Sequence, residues 1–391
     1  MPKPTNKVTR TIRSEQVLKA FIEVVKPHLP LDLKNTRISA EDILYALAYA
    51  NVNRLSIASS CQELEAAPSG NRLREVLVEA LPSRDKVQSA LNRIFRQQLH
   101  PSLLNGKRSY SIAIDLTLIP YHGQPYQDKK EIVRGAPKSG TTHFHGYATV
   151  SIVHNDRRYV VALRFVEYGE EMADIVRWLL KRLKTLKIRL RRVFLDKGFC
   201  SDPVFKVLDR RGLSYVVPIP VRGKSGGVRT LFQGKSRKTT YTFHSPKYGA
   251  YTVQTVVVKR YSKGRYHRQA SKWFAFAVSG LPEAILPAQV FEMYRQRFGI
   301  ESSYRQMNLV RARTSTRNPV IRLLFVGLAF VLFNLYITVR QSLSSALKKM
   351  LTPPRRFWLS LRRLAFMITR AIERLWGVTD AFQLEPCTAF S

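Results

Sequence analysis

The chain has 391 residues, of which 45% are hydrophobic, so it holds enough apolar material for two or three folded domains and is not intrinsically disordered. Its 65 Lys and Arg against 27 Asp and Glu give a net charge of +38. This balance predicts a polyanionic partner, and nucleic acid is favoured over a membrane surface because the basic residues run through the whole chain. The three cysteines match no zinc-binding spacing and predict free thiols in a reducing, intracellular setting.

Residues 1–106 predict an all-helical domain with basic outer faces. Ser14 is the expected N-cap of a first helix, Ser39 and Asp42 resemble a capping box, and Ser83 opens a later amphipathic helix. Such a domain could bind duplex DNA, for example through a helix-turn-helix, or it could be a plain helical support domain. The sequence leaves both interpretations open, because no recognition helix is identifiable.

A change of periodicity begins near residue 108. Residues 111–118 alternate between apolar and small or polar side chains, which predicts a strand with Asp115 on the face opposite its isoleucines. Aspartate is rare in strands, so its presence there indicates a function, although an exposed edge aspartate is the plain alternative. Residues 119–146 predict a polar, basic loop, and two strands with a turn at Asn155 and Asp156 predict a hairpin.

Residues 171–190 predict a strongly amphipathic helix, and residues 192–195 a short apolar strand that ends at Asp196-Lys197-Gly198-Phe199. An aspartate at the C-terminal tip of a buried strand occupies the position where open α/β sheets bind ligands. The plain alternative is a strand-to-helix turn. A helix and a strand complete this part, so residues 107–217 predict the first part of an α/β domain.

Residues 218–281 differ, since prolines, a basic glycine-rich loop and several alternating stretches predict a β-rich insertion. The domain then continues over residues 282–345 with a helix at 291–310. This helix carries Tyr294, Arg297 and Glu301 along one stripe, and by itself it could be an ordinary surface helix with intrahelical ion pairs.

An apolar run at residues 323–339 has the minimum length for a membrane span, but it contains Asn334 and predicts a buried core helix. Residues 346–391 predict a basic helical tail. No membrane association is expected, and no N-terminal signal peptide is visible.

Asp115, Asp196 and Glu301 thus each lie on a regular element in a chain that is poor in acids. Carboxylates brought close together repel each other, and a divalent cation relieves that repulsion. Two bound Mg²⁺ or Mn²⁺ ions can activate water or a 3′-hydroxyl for attack on a phosphodiester. The three acids therefore predict a metal site for DNA chemistry.

The same motifs resemble the DDE transposases of prokaryotic insertion sequences, in the group with a Tyr-x₂-Arg-x₃-Glu-x₆-Lys signature. Tyr294, Arg297 and Glu301 match this signature by type and spacing. Asp196-Lys197-Gly198-Phe199 is similar to the second aspartate motif of the family, and Asp115-Leu116-Thr117 is similar to the first. The resemblance covers residues 108–340.

The resemblance implies a ribonuclease H-like mixed sheet with flanking helices, in which the three acids bind two Mg²⁺ or Mn²⁺ ions. It further implies cleavage at the terminal inverted repeats of a DNA element, strand transfer into target DNA, a homodimer in the synaptic complex and a cytoplasmic, nucleoid-associated location. DNA contacts are expected from Tyr294, Arg297, Lys197, Arg305 and Asn308. Asn308 stands where the signature has lysine, so Arg305, Arg311 or Arg313 is expected to supply the missing charge.

Two other functions remain open at this stage. One is a ribonuclease H-like nuclease that cuts DNA without joining it, and the other is a domesticated DNA-binding protein with an idle site.

Overall fold

The computed structural model describes residues 11–34, 36–154, 157–263, 269–347 and 359–380. Its internal contacts divide the chain into two compact units, one formed by residues 1–94 with 306–391 and the other by residues 95–305. This division differs from the five segments expected from the sequence, because the chain from Gln306 onward groups with the N-terminal helices.

The described elements lie in this order along the chain. The helices are α1 (Ser14–Val25), α2 (Ala40–Asn53), α3 (Ile57–Gln62), α4 (Gly70–Ala80), α5 (Arg84–Gln98), α6 (Pro101–Leu104), α7 (Met172–Thr185), α8 (Asp202–Asp209), α9 (Pro287–Leu309), α10 (Pro319–Leu347) and α11 (Leu361–Trp376). The strands are β1 (Ser109–Pro120), β2 (Val133–Lys138), β3 (Thr141–His154), β4 (Arg157–Val166), β5 (Arg189–Leu195), β6 (Tyr215–Pro218), β7 (Arg237–Ser245), β8 (Gly249–Lys263) and β9 (Gln269–Ser279).

The helical unit begins where local capping chemistry predicts. Ser39 caps α2, because its hydroxyl accepts the Asp42 N–H at 3.1 Å and its own N–H donates to the Asp42 carboxylate at 2.8 Å. The expected cap at Ser14 is wrong by one residue, since Arg13 is the N-cap of α1 and its N–H donates to the Gln16 side chain. Gln16, three residues after Arg13, supplies the side-chain oxygen that accepts the N–H of this N-cap residue.

Helix α10 forms the centre of the helical unit. By length and composition it could cross a membrane, but 94% of its most apolar window is buried inside the protein, as in a core helix. Gly327 permits a close approach to this helix, since a Cβ placed there would lie 2.3 Å from Leu91 Cδ1. Helix α11 packs on α1 and α2 with its apolar face, so the C-terminal basic helix is part of this core.

The second unit contains one mixed sheet, in which the nine described strands take the order β2-β3-β1-β5-β6-β9-β8-β7, and β4 also pairs with β3. Strands β1, β5 and β6 are parallel, whereas β3 is antiparallel to β1 and β9 is antiparallel to β6. The expected mixed sheet with flanking helices and the hairpin of β3 and β4 are confirmed. The β-rich segment extends this same sheet through the pairing of β6 with β9.

Two helical layers flank the sheet. Helix α9 covers one face, where Val290 and Tyr294 pack with Ala113 of β1 and Phe194 of β5. Helix α7 packs against β3 and β4 and also contacts α8. Because side chains alternate along a strand, Asp115 lies on the same face as Ala113, which is the face under α9.

Two boundaries differ from the sequence prediction. The expected loop at 119–146 contains β2 and the first residues of β3, because cross-strand pairing orders a stretch whose own sequence is polar. Helix α7 ends at Thr185 and not near residue 190, since Lys187 takes a left-handed backbone conformation and the chain enters β5 at Arg189.

Candidate active site

Asp115 lies in the middle of the sheet, on β1. Asp115 is 6% exposed, and one of its carboxylate oxygens accepts a hydrogen bond from the N–H of Leu116 at 2.9 Å. Its cross-strand partner on β3 is Thr149, which is 2% exposed and lies on the same face. A carboxylate this deep in a sheet is costly unless it is bonded or binds a cation, so its position agrees with a functional role.

Asp196 follows the last residue of β5, the strand that is the parallel neighbour of β1. The register pairs Ile114 of β1 with Leu195 of β5, and the residue that follows each of them is an aspartate. Asp196 keeps an extended backbone, with φ −76° and ψ 161°, and is half-buried. Because neighbouring strands lie about 4.8 Å apart, the register brings Asp115 and Asp196 side by side at the C-terminal end of β5.

Glu301 belongs to helix α9, which spans the sheet face that carries both aspartates. The side chains of Glu301 and Arg297 lie outside the described residues. The structure therefore places the helix of Glu301 over the sheet face that carries the two aspartates, whereas the position of the Glu301 carboxylate stays a prediction.

Tyr294 ties α9 to the strand of the second aspartate. Its hydroxyl donates to the carbonyl of Leu195 at 3.2 Å, and its ring packs edge-on against Phe194 and at a tilt against Phe276. At 4% exposure it lies in the core of the sheet–helix interface. This burial argues against the expected DNA contact through Tyr294, which stays a prediction.

Tyr304 ties the same helix to the strand next to the first aspartate. Its hydroxyl forms a 2.5 Å hydrogen bond with Thr149 Oγ1, and Thr149 is the residue registered opposite Asp115. The sequence pattern alone predicts no role in the site for Tyr304 or Thr149. The spacing of Tyr304 three residues after Glu301 was a usable signal, but the role of Thr149 depends on strand register and leaves no signal in the sequence.

The remaining expected DNA contacts lie at the surface. Lys197, in a short 3₁₀ turn directly after Asp196, is exposed, as are Arg305 and Asn308. Arg311 donates its Nε–H to the Asn308 side-chain oxygen at 3.2 Å. A guanidinium thus stands beside the amide that replaces the signature lysine.

Arg192 places a further cation under α9. Its guanidinium hydrogen-bonds to Ser214 Oγ at 3.4 Å and contacts the sulfur of Met293. Burial lowers the pKa of Arg192, and repulsion from Arg191 lowers it further. An arginine remains charged at neutral pH even so, and it adds positive charge to the face that carries the aspartates.

The donor chemistry of the site fits a hard divalent cation. Carboxylate oxygens are the ligands that Mg²⁺ and Mn²⁺ prefer, and two adjacent aspartates repel each other unless a cation lies between them. Among the residues whose side chains are described, no group of three or more His, Cys, Asp and Glu could hold a metal. Glu301, whose side chain lies outside those residues, stays the predicted third ligand.

Comparisons with known proteins bear on the family and the fold of the chain. Residues 107–335 match the model of the transposase DDE domain family. No curated protein sequence is significantly similar to the chain. Among solved structures, the chain resembles a piggyBac transposase in a synaptic complex with hairpin DNA, with a TM-score of 0.58 and 13% identity over 97% of this chain and 84% of that one. This likeness supports the ribonuclease H-like fold expected of transposases, and the family match covers more than half of the chain. The protein thus belongs to the transposase DDE domain family.

Proposed function

We propose that this transposase cleaves DNA at the ends of a mobile element and joins the freed ends to target DNA. The observation that carries the proposal is the parallel register of β1 and β5, which sets Asp115 and Asp196 side by side beneath the helix of Glu301. The family match over residues 107–335 supports the same chemistry.

The reaction consists of two balanced displacements at phosphorus. In the first, water adds to the phosphorus at the element end and the bond to the 3′ oxygen breaks, which gives a 3′-hydroxyl and a 5′-phosphate. In the second, this 3′ oxygen forms a bond to a phosphorus of the target strand while the target bond to its own 3′ oxygen breaks. The second step conserves the number of phosphodiester bonds and needs no external energy source.

Asp115, Asp196 and Glu301 would hold Mg²⁺ or Mn²⁺ in this scheme. When bound, such ions lower the pKa of the attacking group and stabilise charge on the leaving oxygen. The protein keeps the ligands in place, because the sheet orders both aspartates and the Leu116 N–H fixes one oxygen of Asp115.

Helix α9 is anchored at two points that flank Glu301. Tyr294 bonds to the backbone just before Asp196, and Tyr304 bonds to the residue opposite Asp115. We assign both tyrosines a positioning role, since each fixes the helix of the third acid relative to one aspartate strand.

The substrate in this proposal is double-stranded DNA, both as element end and as target. The net charge of +38 and the exposed Lys197 and Arg305 supply contacts to phosphate. Two element ends must be held together for joining, so we propose a homodimer in the DNA complex. Light scattering with and without end-bearing DNA measures the number of chains in that complex.

The test of the active site compares two glutamates of the same helix. Glu301→Gln removes the proposed ligand, whereas Glu292→Gln changes an exposed residue that pairs with Arg260 and Arg295. With end-bearing DNA and Mg²⁺, the first variant is expected to lose at least about 10²-fold in cleavage rate and the second to cleave like wild type. Undiminished cleavage by Glu301→Gln would remove the catalytic assignment.

Product analysis separates the proposed function from its two alternatives. Joined products on a gel show strand transfer, and cleaved ends without joined products indicate a nuclease. DNA binding without cleavage by the wild-type protein indicates an idle site.

A further inference from the structure

A second positively charged surface lies on α7, away from the aspartates. A cleft of about 820 Å³ opens there, and we call it the α7 cleft. Its floor is apolar, and its rim is basic apart from Asp174. The floor contains Leu180, Leu190 and Leu213, and the rim contains Arg177, Lys181, Lys184 and Arg211, with Trp178 between them.

The cleft is separate from the candidate active site. Arg164, which also lines it, is paired with Ala148, and Ala148 is paired with Leu116, so Arg164 lies on the sheet face opposite Asp115. The other end of the cleft is also distant along the strands. Leu190 precedes Leu195 by five residues on β5, or about 17 Å of strand. The cleft and the aspartates therefore lie on opposite faces of the sheet.

The charges in the cleft are only partly compensated. Arg164 forms an ion pair with Glu170, and Arg177 forms one with Asp174. Within the described residues no carboxylate pairs with Lys181, Lys184 or Arg211, and all three are exposed. Three uncompensated cations around one cleft form an anion-binding surface.

Trp178 gives the cleft an apolar wall that a ligand can contact. It is half-buried, and the Arg164 guanidinium lies 5.4 Å from its ring centroid. Glu170 pairs with Arg164, and Arg164 in turn contacts the ring of Trp178. The ring is therefore held in place before any ligand binds. An aromatic face beside cations matches the mixed chemistry of nucleotides, in which a charged phosphate and its sugar adjoin a base with a flat face that can stack.

The spacing of the cations also fits DNA. Arg177, Lys181 and Lys184 lie on successive turns of one helix, and seven residues of helix rise about 10.5 Å. This length equals the axial rise of about three base pairs. An acidic protein segment would offer carboxylates without this regular repeat.

From these observations we propose that the α7 cleft binds a second segment of DNA, distinct from the strand held at the aspartates. Lys181, Lys184 and Arg211 contact its phosphates, and Trp178 contacts sugar or base. The inference rests on the proposed function in that DNA is the substrate, but it adds a binding site to which the active-site chemistry assigns no role.

Lysine footprinting on the full-length protein tests the location of the site. The protein is acetylated in EDTA with and without an excess of mixed-sequence duplex, and the modified lysines are identified by mass spectrometry. We expect several-fold protection of Lys181 and Lys184 when DNA is present. Equal modification in both samples would overturn the proposal.

The salt dependence of binding tests the contacts. The triple variant K181Q/K184Q/R211Q loses three cations, so the slope of log affinity against log salt is expected to fall by about 2.7. Between about 50 and 200 mM salt, wild type should therefore lose about 40-fold more affinity than the variant. The charge-preserving variant K181R/K184R/R211K should keep the wild-type slope.

The remaining outcomes are also decisive. An unchanged slope in the triple glutamine variant overturns the proposal, and protection by poly-glutamate equal to that by DNA overturns it in favour of an acidic protein partner. EDTA prevents cleavage, so the result does not depend on the proposed catalysis. Binding in the cleft by a protein that never cleaves DNA would remove the proposed function and leave this inference standing.

Discussion

The hydrogen bond between Tyr304 and Thr149 offers a sharp test of how the third acid is positioned. Tyr304→Phe removes one hydroxyl and leaves the ring. Since Thr149 is 2% exposed, water cannot replace the lost partner, and its hydroxyl remains buried with one bond fewer. Removing one partner of a buried hydrogen bond costs about 1–3 kcal/mol, so the variant is expected to unfold in urea with a free energy about 1–2 kcal/mol below wild type.

The catalytic consequence depends on the helix that carries Glu301. Loss of the anchor lets α9 move relative to the aspartate strands, and a misplacement of about 1 Å can cost about 10²-fold in rate. We expect cleavage to slow by about 10- to 100-fold and the Mg²⁺ concentration for half-maximal activity to rise. DNA affinity measured in EDTA should stay the same.

Two comparisons isolate the effect. Thr149→Val removes the other partner of the bond. The double variant Thr149→Val with Tyr304→Phe should lose about 1 kcal/mol less stability than the sum of the losses in the two single variants. Tyr168→Phe removes a hydroxyl from a tyrosine that is 55% exposed and should change neither stability nor Mg²⁺ dependence. If Tyr304→Phe lowers stability but leaves the Mg²⁺ dependence at the wild-type value, the positioning role is refuted.

Further predictions concern the buried tyrosine, the core of the helical unit and the thiols. Tyr294→Phe loses a bond to the β5 backbone and should lower stability by about 1 kcal/mol without weakening DNA binding, whereas a phosphate contact would weaken it. Gly327→Ala should destabilise by about 1–3 kcal/mol, because its Cβ meets Leu91, and the added substitution Leu91→Ala should recover part of that loss, as urea unfolding would show. Burial raises the pKa of Cys61 to about 11 and that of Cys200 to about 12, so both thiols should react slowly with iodoacetamide at pH 8 in the native protein and quickly in urea, as peptide mass spectrometry would reveal. These folded-state pKa values exceed the ordinary value of 9.0, so the stability that depends on the protonated thiols is present below pH 9 and decreases as the pH rises toward 11 and 12.

Local patterns in the sequence were sufficient for much of the fold. The alternation around Asp115 predicts a strand because a pleated strand points successive side chains to opposite faces. The long apolar run predicts the core helix α10, and the Ser39 capping box marks the start of α2. In each case the information lies within a few neighbouring residues.

Local patterns failed where the partner is far away in the sequence. The helical stripe of α9 places Tyr294 beside Arg297, so the sequence predicts a shared phosphate contact, but packing on Phe194 and Phe276 buries the tyrosine. The polar stretch at residues 119–146 predicts a loop. It nevertheless contains β2 and the first residues of β3, because these two strands pair with each other. Side-chain type alone does not specify which surface a residue meets.

By itself the sequence determined the strand of Asp115, the strand tip at Asp196, the helix of Glu301 and a charge of +38 that favours a polyanionic partner. Only the tertiary structure decided that β1 and β5 are neighbours in a register that makes the two aspartates adjacent, and that two tyrosines anchor the third helix. The reason is physical. Periodicity and capping depend on contacts within a few residues, whereas strand register depends on the packing of whole faces contributed by segments that lie 80 or more residues apart.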